Sequence, residues 1–376
     1  MLRVLMAGAL LLATGCRGGG RGIEDIAAGG AGGAGGAGGG GTTDAGATDA
    51  GADLVCDTPQ AEFPRCPLPV GDPFGIPAEG FQSDANTTLA GGPAAYAYEN
   101  QDVYGPPDQT QSFVGRLARG AALSPTGLPG EPVTLLTWSA TGDWYPLGDA
   151  TTDERGYYRL SLAETERFGI GDHVTYAISR ADATCAPHGV FLWPAGTHLV
   201  ITDIDGTLTL ADAELTRQIG DPTYVPRANA NAAELMQAWA EKGYKVVYLT
   251  ARPHTFRLQT RAWLDQLGLP YGPVITADSL VFGESARTYK RAAIQELVDD
   301  FGWVIDAAYG NASSDIQAYE DAGHPKDRTF IIGEEAGQSG TVAIPDQDFG
   351  PHIQTYVAAQ PEARQPVELV PVSFCH

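Results

Sequence analysis

The sequence predicts an α/β fold, a parallel sheet with helices on both faces, preceded by a small β-sandwich. Two changes in hydrophobic pattern along the 376 residues carry this prediction. Short alternating runs punctuated by Gly, Asp and Pro occupy residues 112–194, which is typical of sandwich strands. From Thr197 onward, nearly continuous apolar runs alternate with helical segments, which indicates parallel strands covered on both sides.

The individual elements follow from these patterns. The sandwich strands are predicted at 113–117, 133–138, 144–147, 157–162, 174–178 and 190–193. The parallel strands are predicted at 198–203, 244–249, 273–276, 304–309 and 329–332. The helices between them are predicted at 230–242, 256–267, 286–301 and 314–322. Ligands of such sheets bind beyond the carboxyl ends of the strands, so those ends are where we expect the chemistry.

Composition divides the chain further. Residues 29–41 are nearly a Gly-Gly-Ala repeat, which cannot bury a core and behaves as a flexible tether. The predicted segments are a leader (1–15), a lipidated cysteine with its tether (16–55), an irregular Pro/Gly-rich stretch (56–110), the sandwich (111–195), the catalytic domain (196–340) and a C-terminal tail packed on that domain (341–376).

The first residues resemble an export signal. Arg3 supplies a positive charge, Val4 to Leu12 are apolar, and small residues precede Cys16, as at a bacterial lipoprotein cleavage site. Cys16 would then carry acyl chains and anchor the protein to a membrane on the extracytoplasmic side. The alternative is an ordinary secretory signal with an incidental cysteine. Neither the membrane nor its leaflet follows from the sequence.

Charge and cysteine content narrow the function. The formal net charge of −23 excludes nucleic-acid binding by bulk electrostatics. Four cysteines follow Cys16, and an even number in an exported protein predicts two disulfides. Three pairings are open. We favour Cys56–Cys66 and Cys185–Cys375, because the first two lie close in sequence and the others are then left together.

Candidate site residues stand where the predicted strands end. Asp203 and Asp205 follow the first strand, two positions apart and therefore on the same side of an extended chain. Gly206 permits close backbone approach to a ligand. The other candidates are Thr207 beside them, Thr250, Ala251 and Arg252 after the second strand, Lys290 on the following helix, and Asp315 beyond the fourth strand. Three carboxylates form a hard oxygen site suited to Mg²⁺, and the hydroxyls, lysine and backbone N–H groups suit a phosphate.

In order and spacing these residues resemble the four motifs of the haloacid-dehalogenase superfamily, and the resemblance implies their roles. Asp203 would be the nucleophile that forms an aspartyl-phosphate, and Asp205 would protonate the leaving alcohol and then activate water. Thr250 would hold a phosphoryl oxygen and Lys290 would neutralise charge. Mg²⁺ would lie on the side chains of Asp203 and Asp315 and on the Asp205 carbonyl.

The sequence leaves two residue roles undecided. Arg287 and Arg291 are alternatives to Lys290, because a lysine on a helix is usually solvated. Arg252 either contacts substrate or pairs with a carboxylate. The intervals between the motifs leave no room for a cap domain, which favours bulky substrates over small metabolites.

A finer resemblance covers residues 113–333. The segments 246–253, 262–264, 310–315 and 328–333 are similar to the LNS2 domain, which occurs in lipins and in the Nir/RdgB phosphatidylinositol-transfer proteins. The segments 142–148 and 169–171 resemble the region before that domain in the Nir group. Lipins hydrolyse phosphatidate, whereas the Nir-type domain lacks the nucleophilic aspartate and binds phosphatidate without turnover. Asp203 places this sequence with the enzymes.

The resemblance therefore implies a Mg²⁺-dependent phosphatase of phosphatidate or a related phospholipid. Two alternatives are a non-catalytic phosphatidate-binding module and a phosphatase of another extracytoplasmic phosphoester. The expected partners are that substrate and, through the N-terminal lipid, a membrane. The oligomeric state does not follow from the sequence.

Overall fold

The computed structural model describes residues 76–92, 98–121, 123–138, 144–221 and 223–367. The predicted leader and tether, Cys16, Cys56, Cys66 and Cys375 lie outside these residues. Cys185 is buried and takes part in a disulfide, and its partner also lies outside them, so the pairing stays a prediction. No helix in the described ranges is both long enough and apolar enough to cross a bilayer.

The first part of the described chain is rich in β-structure. Its elements are α1 (Asp84–Ala90), β1 (Val103–Gly105), β2 (Ser112–Arg116), β3 (Ala118–Arg119), β4 (Thr126–Gly127), β5 (Pro132–Trp138), β6 (Trp144–Thr151), β7 (Tyr157–Ser161), β8 (Gly171–Ser179) and β9 (Cys185–Leu192). Five strands form a sheet in the order β1-β9-β8-β5-β6, and β2 pairs with β7 in a second layer. One apolar core lies between the layers, so the predicted sandwich is confirmed.

The second part is a parallel α/β sheet. Its elements are β10 (His198–Thr202), α2 (Ala213–Gly220), α3 (Ala232–Glu241), β11 (Lys245–Pro253), α4 (Arg257–Gln266), β12 (Val274–Ala277), α5 (Glu284–Gln295), β13 (Val304–Gly310), α6 (Ser313–Asp321), β14 (Thr329–Ile332), β15 (Val342–Ile344) and α7 (Gly350–His352). The strand order is β12-β11-β10-β13-β14-β15, and every neighbouring pair is parallel.

Both faces of this sheet are covered by apolar side chains. Val200 faces one core, which includes Trp239 of α3, whereas Leu199 and Ile201 face the other, which includes Ile294 of α5. Alternate residues of β10 therefore point into different cores, which explains why the run from Leu199 to Ile201 is apolar without interruption. The predicted sheet with helices on both faces is confirmed.

Several elements were not predicted, among them β15, α1, β1 and α2. The strand β15 lies within the segment expected to be a packed tail, and it extends the parallel sheet by pairing with β14. Only Ile344 of its three residues is buried, so it lacks the apolar run that marks the other strands. Likewise, α1 and β1 lie in the stretch expected to be irregular, and β1 pairs with β9. The helix α2 follows β10 and bears directly on the site.

A buried histidine connects the strands of the sandwich. His188 is fully buried, and its Nδ1 donates a hydrogen bond to the carbonyl oxygen of Gln101 at 2.6 Å. Its Nε2 lies 2.9 Å from the hydroxyl of Tyr158. Burial lowers the pKa of His188 to about 4, although the bond to Gln101 acts in the opposite direction. The neutral ring is therefore part of the folded core.

Acidification is expected to destabilise the fold through this residue. The imidazole of an unfolded chain has a pKa of about 6.5, so below that pH the unfolded state binds the proton that the folded core excludes. The free energy of unfolding should fall between about pH 6.5 and pH 4, by up to about 3 kcal/mol from this group. Urea unfolding at several pH values, with the His188 resonances followed by NMR, tests this. A His188 ring that takes up its proton near pH 6.5 in the folded protein would contradict it.

Candidate active site

The two aspartates of the first motif lie at the carboxyl end of β10, which lies between β11 and β13 in the interior of the sheet. Asp203 is buried, and Asp205 is partly accessible. Gly206 follows at a φ of +74°, in the region that favours glycine, and a Cβ there would collide with the side chain of Asn311. The glycine thus allows the chain to turn tightly against the end of β13. Asp203 and Asp205 each have a different cationic partner.

Lys290 of α5 joins two carboxylates. Its Nζ lies 2.6 Å from Oδ1 of Asp203 and 2.6 Å from Oδ1 of Asp315, and all three side chains are buried. Burial alone would lower the pKa of Lys290, but the two carboxylates raise it well above its usual value. Burial, together with the charge of Asp315, raises the pKa of Asp203 against the opposing effect of Lys290. Lys290 is therefore a fixed positive charge beside Asp203.

The other oxygen of Asp315 caps a helix. Its Oδ2 accepts hydrogen bonds from the backbone N–H groups of Asn311 at 3.0 Å and Ala312 at 3.1 Å, at the N-terminus of α6. Arg287, one of the two alternatives to Lys290, instead pairs with Asp321 and Glu284. Lys290, and not Arg287, is therefore the residue that lies beside Asp203.

Arg252 pairs with the second aspartate through both ends of its guanidinium fork. Its Nε donates to Oδ2 of Asp205 at 2.8 Å and its Nη2 donates to Oδ1 at 2.7 Å. Arg252 is fully buried, and its Nη1 donates to Gln218 of α2 and to Thr260 of α4. A bidentate pair fixes the direction of the carboxylate as well as its charge. Of the two roles left open for Arg252, the structure shows pairing with a carboxylate.

Hydroxyl groups surround the carboxylates. Thr207 lies 3.1 Å from Oδ2 of Asp203 and 3.3 Å from Oδ1 of Asn311, so its single proton has two acceptors. Thr250 is buried at the end of β11, two residues before Arg252, whose backbone N–H donates to its hydroxyl at 3.2 Å. Ala251 lies between them. The structure thus brings the predicted threonines to the same edge as the carboxylates.

Sequence reasoning missed Asp212. Its Oδ1 accepts a hydrogen bond from the Asn311 side chain at 3.1 Å. Burial raises the pKa of Asp212, with smaller upward contributions from Asp205 and Asp315. The residue stands just before α2, where an aspartate is an ordinary helix-capping residue, so nothing local marks it as part of a site. Gln218 and Thr260 were also missed, because each is a polar residue inside a helix and nothing local marks it as part of a site.

The donor set fits a magnesium ion. Asp203, Asp205, Asp212 and Asp315 bring four carboxyl groups to this edge, beside the cationic side chains of Lys290 and Arg252. Within the described ranges, no three His, Cys, Asp or Glu side chains are arranged as a ready-made metal site. The predicted ligand set needs only two side chains and one carbonyl oxygen. Mg²⁺ prefers such hard oxygen ligands and retains several waters, which agrees with this sparse set.

Comparison with known proteins identifies the domain that carries the site. Residues 200–333 match the family described as the LNS2 domain of PITM 1-3. Membrane-associated phosphatidylinositol transfer protein 3 of Mus musculus is 30% identical over 234 residues, which are 62% of this chain and 23% of that protein. Protein retinal degeneration B of Drosophila melanogaster is 30% identical over 202 residues, 54% of this chain and 15% of that protein.

Among solved structures, phosphoserine phosphatase in its apo form is similar at 14% identity and a TM-score of 0.31, covering 42% of this chain and 98% of that chain. The present chain spans less than a quarter of the length of the two curated relatives. The predicted resemblance to the LNS2 domain is confirmed over residues 200–333, whereas the predicted domain bounds of 196–340 stay a prediction.

Proposed function

Because residues 200–333 match the LNS2 domain, we propose that this chain is a Mg²⁺-dependent phosphatase of a phospholipid, with phosphatidate as the foremost substrate. The observation that carries the proposal is the arrangement of two aspartates with separate cationic partners. Asp203 lies against Lys290, and Asp205 lies in the fork of Arg252. Such a pair can divide the roles of nucleophile and acid–base, since each carboxylate has its own electrostatic environment.

The proposed reaction has two steps. In the first, a carboxylate oxygen of Asp203 attacks phosphorus, the bond from phosphorus to the lipid oxygen breaks, and Asp205 gives that oxygen a proton. In the second, Asp205 takes a proton from a water molecule whose oxygen attacks the phosphorus. The bond between phosphorus and Asp203 then breaks, which releases inorganic phosphate and restores the Asp203 carboxylate.

The surrounding residues would lower the barrier by holding charge. Lys290 would neutralise the phosphoryl oxygens and Asp203 together, while the hydroxyls of Thr207 and Thr250 would donate hydrogen bonds to phosphoryl oxygens. Mg²⁺, held by Asp203, Asp315 and the Asp205 carbonyl, would supply further positive charge to the phosphoryl group. Arg252 would keep the Asp205 carboxyl aimed at the leaving oxygen.

A lipid substrate is supported by apolar side chains at the mouth of the site. Phe282, in the segment between β12 and α5, is 71% exposed. Leu280 of the same segment packs against the small cluster formed by Leu215 of α2 and Phe256. The helix α2 also contacts the site directly, because Gln218 accepts a hydrogen bond from Nη1 of Arg252. The exposed Phe282 therefore stands at the carboxyl edge of the sheet, where it can enter the apolar layer of a membrane that presents the substrate.

Replacing Phe282 with serine tests this orientation. We expect phosphate release from phosphatidate vesicles to fall about tenfold, because the variant can no longer bury the ring in the membrane. Complete burial of such a side chain is worth roughly 1.5–3 kcal/mol. Release from a water-soluble phosphoester should stay within about twofold, since no site residue changes. Val298→Ser alters a half-exposed apolar side chain just before β13, at the opposite edge, and serves as the control. Equal losses on vesicles and on the soluble substrate would contradict the proposed orientation.

The activity itself is tested by phosphate release from phosphatidate vesicles with Mg²⁺ and with a chelator. We expect release only in the presence of Mg²⁺. Binding of the vesicles without metal-dependent release would favour the second candidate, a phosphatidate-binding module. The match to a domain of phosphatidylinositol transfer proteins is the observation that supports that candidate. Release from many soluble phosphates but not from vesicles would instead favour a phosphatase of another phosphoester.

We also propose that the protein is anchored to a membrane through its N-terminal segment. Acylation of Cys16 would tether the domain to a membrane on the extracytoplasmic side, within reach of a lipid substrate. Labelling with a radioactive fatty acid, compared between the wild type and Cys16→Ser, tests this. A label that persists in the variant would contradict the anchor.

A further inference from the structure

One buried carboxylate joins the sandwich to the catalytic domain. The side chain of Asp102, just before β1, is fully buried. Its Oδ1 accepts from the backbone N–H of Gly189 in β9 at 2.8 Å, and its Oδ2 accepts from that of Val274 in β12 at 2.9 Å. Asp102 also pairs with Arg257 and Arg261 of α4. The carboxylate therefore bonds simultaneously to β9, α4 and β12.

Both arginines depend on this contact. Arg257 and Arg261 are buried, and burial together with the charge of Arg261 lowers the pKa of Arg257 to about 9. Arg257 also donates to the carbonyl oxygen of Pro187 in β9, so α4 is fastened to the sandwich at its first residue. A guanidinium held this far from water needs its acidic partner, because an unpaired buried charge is strongly unfavourable.

The helix fastened in this way also holds the guanidinium that orients Asp205. Thr260 lies between the two arginines on α4, is fully buried, and accepts a hydrogen bond from Nη1 of Arg252 at 3.0 Å. The same guanidinium holds Asp205 by its other two nitrogens. A continuous series of contacts therefore runs from Asp102 through α4 and Arg252 to Asp205.

We propose that Asp102 is a positioning residue for the reaction: by fixing α4 it sets the direction of Arg252 and hence of the Asp205 carboxyl. The sandwich is then a structural part of the active site, although it contributes no group that touches the substrate. This inference rests on the proposed function for its effect on rate, but its effect on Arg252 is independent of any turnover. A small displacement of a catalytic group by a distant change costs up to about 100-fold in rate.

Two variants separate positioning from folding. Asp102→Asn removes the charge that holds Arg257 and Arg261. Thr260→Val removes only the hydroxyl that accepts from Arg252, at nearly constant volume. Thr329→Val is the matched control, since Thr329 is equally buried in the same domain and its hydroxyl donates to the Pro325 carbonyl, away from the site. Thermal unfolding of each variant shows whether the fold is retained.

The first readout is the NMR signal of the Arg252 Nε–H group, assigned by its loss in Arg252→Lys. In Asp102→Asn and Thr260→Val we expect this signal to shift and to exchange faster with water, and in Thr329→Val to stay unchanged. The second readout is kinetic: on phosphatidate vesicles, kcat should fall about 10- to 100-fold in the first two variants, with KM within about twofold.

The outcomes are distinct. A shifted Arg252 signal with no phosphate release from any protein, including the wild type, would support the positioning of Arg252 and refute the proposed activity. An Arg252 signal that is unchanged in folded Asp102→Asn or in folded Thr260→Val would overturn the inference, whatever the rates. A loss of kcat in Thr329→Val equal to that in Thr260→Val would also overturn it, because the effect would then be general.

Discussion

Asp203→Asn is expected to reduce phosphate release from phosphatidate vesicles by about 10⁴-fold or more in kcat, the scale observed when a covalent nucleophile is removed. The amide has nearly the shape of the carboxylate, so Lys290 keeps its contact with Asp315 and the fold is retained. A neutral amide oxygen, however, cannot form the aspartyl-phosphate. Vesicle binding should persist, since the other phosphate-binding groups remain.

The control for this variant is Asp327→Asn, which makes the same change at an exposed position of the same domain. We expect its kcat to match that of the wild type. Residual release by Asp203→Asn above about 1% of the wild type would show that Asp203 is not the nucleophile, because such a rate is far above the expected remainder.

Lys290→Met is expected to have the largest effect on stability. Removing this cation leaves the buried carboxylates of Asp203 and Asp315 without the ammonium group that lies between them. Breaking a buried ion pair by removing one partner costs about 3–5 kcal/mol, because the remaining charge is uncompensated. Urea unfolding at pH 7 without Mg²⁺ measures this change.

The matched control is Lys326→Met. Lys326 pairs with Glu320 at the surface, and exposed pairs contribute about 1 kcal/mol or less. An equal loss in the free energy of unfolding in both variants would contradict a stabilising role for the contacts of Lys290 with Asp203 and Asp315.

The sheet and the positions of its motifs could be predicted because they depend on local patterns. The central residues of β10, Leu199 to Ile201, are all apolar because the strand is buried on both faces, and the two aspartates follow where the strand ends. The parallel arrangement then brings Thr250, Lys290 and Asp315 to the same edge, since these residues follow neighbouring strands. Each step uses only hydrophobic period and chain order.

The contacts between distant segments could not be predicted. The pair of Asp102 and Arg257 joins residues 155 positions apart, and neither has a local signal that distinguishes it from a surface charge. The partner of Arg252 likewise depends on how α2, α4 and the end of β10 meet in space. The strand β15 escaped detection because a single buried residue, Ile344, gives no periodicity.

The role of Asp203 as nucleophile can be tested by identifying the residue that becomes phosphorylated during turnover. The protein is mixed with phosphatidate vesicles and Mg²⁺, quenched in acid within one turnover, and digested for mass spectrometry. We expect a phosphoryl group on the peptide that contains Asp203, and we expect it to be absent from Asp203→Asn and from samples prepared with a chelator. Phosphate release from phosphatidate in the same samples, with the phosphoryl group on another residue or on none, would contradict it.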